Sequence, residues 1–143
     1  MKRIHSKNTG ILDEISGTIT ESQVLTYLDT KNINNDYINE IKKLSGLNDD
    51  ALAGFLNISV RTFHSYMHND SNLKANVKEP ILLLLYLIKH GLKVFVSKKE
   101  FETWLNTNNF YFDGKKPSSY LNKISGIRFV DDRLTAMEFG DNV

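Results

Sequence analysis

The eight consecutive residues Ile81-Leu82-Leu83-Leu84-Leu85-Tyr86-Leu87-Ile88 carry no polar group except one phenol. A helix with an apolar stripe can lie on a surface, but one that is apolar nearly all round must be enclosed by neighbours. The run is far shorter than the roughly 20 residues a membrane span needs, so no membrane partner is expected. Pro80 stands directly before it, and proline suits the first turn of a helix, where its missing N–H costs nothing. The sequence therefore predicts a long central helix over residues 80–96, buried by other helices or by a second subunit. Gly91 interrupts it, at a cost of about 1 kcal/mol relative to alanine.

The rest of the chain supplies helices to cover it. Few β-branched alternations occur, and no Asn-Gly or Asp-Gly turn separates two apolar runs, so the expected fold class is all-α. A loose arm and a short helix near 22–30 occupy residues 1–33. A helix over about 35–44 follows, with Tyr37, Ile38, Ile41 and Leu44 on one face and Gly46 ending it. Paired helices over 49–55 and 59–67 complete a unit spanning 34–78, whose last stretch, HNDSNLKANVK, reads as a loop. The remaining unit, 79–143, holds the central helix and a smaller helical region over 97–143. Ser97-Lys98-Lys99-Glu100 is a capping box that starts a short helix ending near Trp104-Leu105. Pro117 opens a helix to about residue 124, Gly126 breaks it, and a last helix runs over 127–139. Ile127, Val130, Leu134 and Met137 form its apolar stripe, Asp131-Asp132 a solvated face, and Gly140 its stop.

Residues 52–67, LAGFLNISVRTFHSYM, have the layout of a helix-turn-helix. Ala53 is small where two helices must cross closely, and Leu52, Leu56, Ile58, Phe63 and Tyr66 fall at core-facing positions. Asn57 takes the turn position usually held by glycine, and asparagine is the residue that best tolerates a left-handed backbone there. Ser59 is placed to cap the second helix, while Asp49 and Asp50 sit in the first turn of the first, where the helix dipole favours negative charge. Docked in a DNA groove, the second helix would present Ser59, Val60, Arg61, His64, Ser65 and His68. Arg61 can donate two hydrogen bonds to a guanine edge, and Thr62 and the histidines can reach phosphates or bases. Operator DNA is thus an expected partner. Residues 46–70 carry Asp49, Asp50 and Asp70 against a lone Arg61, and phosphate neutralisation dominates affinity. Other cations must then contribute: Lys2, Arg3 and Lys7, Lys42 and Lys43, or those of a second subunit. Modest affinity raised by dimerisation on two half-sites is the expectation.

The last third carries a longer pattern. Trp104-Leu105 is followed by Asn109, Gly114-Lys115, Pro117, Leu121, Gly126, Val130, Leu134, Glu138 and Gly140. In content and spacing this resembles the C-terminal toxin-binding domain of the Xre/MbcA/ParS antitoxin family, whose pattern is roughly Trp-Leu, Asn, Gly-Gly-Lys/Arg-x-Pro, Leu-Leu, Gly-x-x-x-Val and Leu-x-x-Ile-Glu-x-Gly. Asp113 departs from it at a glycine, Ser118 and Tyr120 at leucines, and Phe110 at a common proline. The resemblance implies a type II antitoxin whose partner is a RES-domain toxin that degrades NAD⁺. It implies binding through the C-terminal domain, occlusion of the toxin's active site, and repression of the operon through the helix-turn-helix.

The residues themselves add candidates for that contact. Phe110 and Tyr111 beside Lys115 and Lys116 combine aromatic anchors with cations, types enriched in interface hot spots. Phe110 and Tyr111 divide evenly between interface and core, whereas Phe112 belongs to the core. An NAD-consuming partner has a site for an anionic dinucleotide, which makes Arg128, Arg133 and the end Glu138, Phe139, Gly140, Asp141, Asn142, Val143 further candidates. A stand-alone helix-turn-helix regulator whose C-terminal region only oligomerises is the alternative reading.

Catalysis is not expected. His64 and His68 are four apart, a metal-compatible spacing, but the zinc-protease form needs glutamate where Ser65 stands. No metal, cofactor or catalytic residue is assigned. With Cys 0, net charge +1 and an N-terminus lacking an apolar stretch, a cytoplasmic protein is expected, a homodimer or part of a larger toxin–antitoxin complex.

Overall fold

The structure, a computed structural model, describes residues 19–69 and 73–140. Among these residues there are seven α-helices: α1 (Glu21–Thr30), α2 (Asn35–Ser45), α3 (Asp49–Phe55), α4 (Val60–His68), α5 (Ala75–Val94), α6 (Lys98–Leu105) and α7 (Ile124–Glu138). Two 3₁₀ turns, Phe110–Phe112 and Pro117–Tyr120, lie between α6 and α7. No strand occurs among them, only an isolated bridge between Asn109 and Lys115. The fold is all-α, as the apolar patterning requires.

α5 is the axis. Every residue from Ile81 to Ile88 is buried, because α1, α2, α6 and α7 pack round it. The helix-turn-helix pair α3–α4 joins this core through α2, which packs on both α4 and α5. No single helix among the described residues is long and apolar enough to cross a membrane.

Three boundaries differ from expectation, each for a tertiary reason. The central helix begins at Ala75, so Pro80 lies inside it and the segment expected as a loop is partly helical. Pro80 cannot donate to the Asn76 carbonyl, a fault worth about 3 kcal/mol in a helix interior. Leu73 and Val77 are both buried on the same side as Ile81, and burying two such side chains contributes about 1.5–3 kcal/mol each. Burial wins.

Pro117 starts only a 3₁₀ turn ending at Tyr120, and the last helix begins at Ile124 rather than 127. Gly126 therefore breaks nothing: it lies within α7, where an added Cβ would stand 1.8 Å from the Tyr120 carbonyl oxygen. Gly91 has the same kind of role, since a Cβ there would meet the Phe101 ring at 2.2 Å. Both glycines are close-approach points.

The expected stops are where the sequence puts them, and of the Ser97–Glu100 capping box one half is present. Gly46 and Gly140 have left-handed φ of 74° and 105°. The Ser97 hydroxyl accepts from the Glu100 N–H at 3.1 Å, and Ser59 caps α4 through Thr62.

Candidate functional site

The chain reverses tightly between α6 and α7. Asn109 N–H donates to the Lys115 carbonyl, and its side chain accepts from Tyr111 N–H at 2.9 Å. Asp113 and Gly114 are consecutive left-handed residues, φ 56° and 76°. Asp113 stands where a glycine is usual, and aspartate is among the few side chains that tolerate this conformation. The reversal turns Phe112 inward and leaves Phe110 and Tyr111 facing out. Phe112 is fully buried, with its ring centroid 5.8 Å from Trp104, 5.6 Å from Tyr120 and 5.1 Å from Phe129. Phe110 is 88% exposed and Tyr111 44%.

Tyr111 is not loose. The Arg133 guanidinium lies 3.5 Å from its ring centroid, a stacking that fixes ring and cation together. Phe129, 43% exposed, continues the aromatic surface one turn earlier on α7. Beside it opens a pocket of about 520 Å³ lined by Lys115, Ser119, Tyr120, Lys123, Gly126 and Phe129, among others. Phe139, 82% exposed, ends the same helix. The result is a display of aromatic and cationic groups on a short turn and one helix, in which Tyr111 is stacked on Arg133 and Phe129 is packed on Phe112 and Tyr120.

A buried polar cluster sets that helix on the core. His90 of α5 is 4% exposed, with Nδ1 2.6 Å from Asp131 Oδ1 and Nε2 2.8 Å from Glu138 Oε1. Burial is the largest influence on the imidazole and pushes its pKa down. The hydrogen bonds to Asp131 and Glu138 and the attraction of both carboxylates together outweigh it, so the pKa is raised. Tyr86, one turn earlier, is driven upward by burial and by the same two carboxylates. Asp131 is thus no solvated residue, contrary to expectation: it is 6% exposed. The signal was present. Ile127, Val130, Asp131, Leu134 and Glu138 share one face at helical spacing, so a carboxylate in that stripe needed a buried partner.

Residues 90–140 match the model of the antitoxin Xre/MbcA/ParS C-terminal toxin-binding domain. That segment is thus a domain of the Xre/MbcA/ParS C-terminal type. The crystal structure of the M. tuberculosis MbcT–MbcA toxin–antitoxin complex holds a chain of like fold: TM-score 0.63 at 16% identity, covering 75% of this chain and 95% of that one. Among curated proteins no sequence matches.

Within this Xre/MbcA/ParS segment, the expected contact residues divide. Phe110, Tyr111, Lys115, Lys116, Phe139 and Gly140 are exposed, and Arg133 joins them through Tyr111. Arg128 serves the fold instead, donating to the Ile19 carbonyl at 3.5 Å and to Glu21 Oε1 at 3.1 Å, which ties α1 to α7. Glu138 is held by His90. Asp141, Asn142 and Val143 lie outside the described residues, as do Lys2, Arg3, Lys7 and Asp70.

In the helix-turn-helix, Asn57 has the expected left-handed φ of 58°. Its amide also donates to the Asn122 carbonyl at 2.8 Å, fastening the turn to the family segment just before α7. On α4, Arg61, His64, Ser65 and His68 are exposed, while Val60 and Thr62 are half-buried. Ser59 and Thr62 share a hydroxyl–hydroxyl bond of 3.0 Å. His68 Nδ1 contacts the His64 carbonyl at 3.1 Å. His64 Nε2 lies 3.0 Å from Asp49 Oδ2, and Lys42 Nζ lies 2.8 Å from Asp49 Oδ1. Arg61 stands exposed in the first turn of α4.

Proposed function

We propose that this chain neutralises a partner toxin by seating the face made by Phe110, Tyr111, Phe129, Arg133 and Phe139 over the toxin's active site. One observation carries the reading. Six large apolar side chains are exposed among the described residues, and five of them (Val96, Phe110, Tyr111, Phe129, Phe139) fall in the matched toxin-binding segment. Exposed aromatics that are rigidly held cost little entropy when a partner covers them. The likeness to the antitoxin of a solved toxin–antitoxin complex supports the same reading. The partner is a RES-domain enzyme that degrades NAD⁺, as the family pattern implies, and this chain supplies no catalysis or cofactor. Arg133 and Phe139 are the groups best placed to enter a site built for an anionic dinucleotide.

The helix-turn-helix is proposed to bind operator DNA, with Arg61 reading a base, as a homodimer on two half-sites or within the toxin complex. The exposed α4 face and the fastening of the turn at Asn57 support this.

Co-expression with the neighbouring toxin gene tests the first arm. The intact chain should rescue growth, and the Phe110→Ala/Tyr111→Ala variant should not, although it folds. Rescue by that variant overturns the assigned face. A chain that binds its upstream DNA but never rescues is a stand-alone regulator instead.

A further inference from the structure

Asp49 joins three helices of the DNA-facing unit. Its two carboxylate oxygens hold Lys42 Nζ from the last turn of α2 and His64 Nε2 from the middle of α4, at 2.8 and 3.0 Å. All three side chains reach solvent, with 36%, 33% and 51% exposure for Lys42, Asp49 and His64. The bond from Lys42 is the largest influence on the carboxyl and, with that from His64, lowers its pKa against a smaller opposing effect of burial.

We infer that Lys42 and His64 form a site for a backbone phosphate of duplex DNA, and that the Asp49 carboxylate occupies this site in the DNA-free chain. The inference rests on the reading of α3–α4 as the DNA-docking pair. A carboxylate and a phosphodiester both present two anionic acceptor oxygens, so two donors that grip one on separate oxygens suit the other. Charge gives the reason for a mask. Residues 35–69 hold three fixed cations (Lys42, Lys43, Arg61) against four carboxylates (Asp36, Glu40, Asp49, Asp50). Affinity for DNA comes chiefly from cations that replace condensed counterions on phosphates. A unit with an excess of carboxylates therefore gains most if one of them yields its cation, and Asp49 is the one lying between two donors, Lys42 and a residue of the candidate recognition helix. The mask keeps affinity for random DNA low while leaving the phosphate contact preassembled for a site that Arg61 also recognises.

The test compares neighbouring acids. Fluorescence anisotropy of the full chain is measured on a labelled duplex from its own upstream region and on a scrambled duplex, across a potassium chloride series. Asp49→Asn should raise affinity for both duplexes about tenfold at low salt and steepen the log–log salt dependence by about 1. Asp50→Asn removes the same charge one residue away and should leave the slope unchanged. Adding Lys42→Met to Asp49→Asn should return the slope to the wild-type value. Thermal unfolding checks that each variant folds, and Asp49→Ser, which leaves the Asn48 cap of α3 in place, replaces Asp49→Asn if that variant does not. Equal behaviour of the Asp49 and Asp50 variants, with wild type binding its upstream duplex, overturns the masked site alone. Failure of the wild type and every variant to bind either duplex overturns the DNA-docking reading and the masked site together.

Discussion

Replacing His90 by phenylalanine keeps a ring in the cavity between α5 and α7 but removes both nitrogens that hold Asp131 and Glu138. The two carboxylates then fare differently. Glu138 is about one-third exposed in its side chain and can turn to water, whereas the Asp131 side chain is 8% exposed and cannot. Stripping a buried charge of its partner costs about 3–5 kcal/mol. In a chain of 143 residues, each kcal/mol moves Tm by about 2–4 °C, so the loss should be on the order of 10–15 °C. Asp131→Leu alone leaves a buried imidazole with only Glu138 and should also destabilise. The double variant His90→Phe/Asp131→Leu should recover to within about 1–2 kcal/mol of wild type, because a well-packed apolar pair often equals a buried ion pair. Thermal unfolding by circular dichroism gives all four corners of the cycle. A drop below about 3 °C for His90→Phe, or simple addition of the two losses in the double variant, would refute the reasoning.

The same cluster fixes a pH dependence. The folded-state pKa of His90 is raised, so the native state binds the proton more tightly than the unfolded chain. The stabilisation is complete below the unfolded pKa of about 6.5 and is lost as pH rises through the folded value. Tm of the wild type should therefore fall across that window, and His90→Phe should lack this component.

Gly126→Ala places a Cβ against the Tyr120 carbonyl, where backbone must move; stability should fall by about 1–3 kcal/mol or more, and toxin binding should fall with it. Unchanged melting would show that α7 is not seated on the turn as described. Phe110→Ala should leave the stability within about 0.5 kcal/mol of wild type while weakening toxin affinity at least tenfold, about 1.4 kcal/mol; a titration showing equal affinity removes Phe110 from the interface. At Asn57, alanine should cost about 1–2 kcal/mol more than glycine in thermal unfolding. Both lose the bond to Asn122, and only alanine strains the left-handed turn. Equal losses would assign the residue's whole contribution to that bond.

Much of the architecture was legible without coordinates, because helices are specified locally. The apolar run at 81–88 demanded an enclosed central helix. Gly46, Asn57, Ser59 and Ser97 marked turns and caps through preferences that depend on three or four neighbouring residues. The spaced residues from Trp104 to Gly140 named the family segment. The misreadings also share a cause. Pro80 and Gly126 read locally as punctuation, but Val77 packs on the core and Gly126 packs on the Tyr120 backbone, and those contacts override propensity.

What only the tertiary structure decided was the choice of partner for each polar group. His90 meets residues 41 and 48 positions away, Arg128 turns to Glu21 across 107, and Asp49 gathers nitrogen donors from two other helices. It also decided that Phe112 faces inward while Phe110 and Tyr111 face out. A one-dimensional pattern fixes which residues are buried or helical by periodicity. Which carboxylate finds which cation depends on how helices cross in space, and that is set by the packing of the whole core.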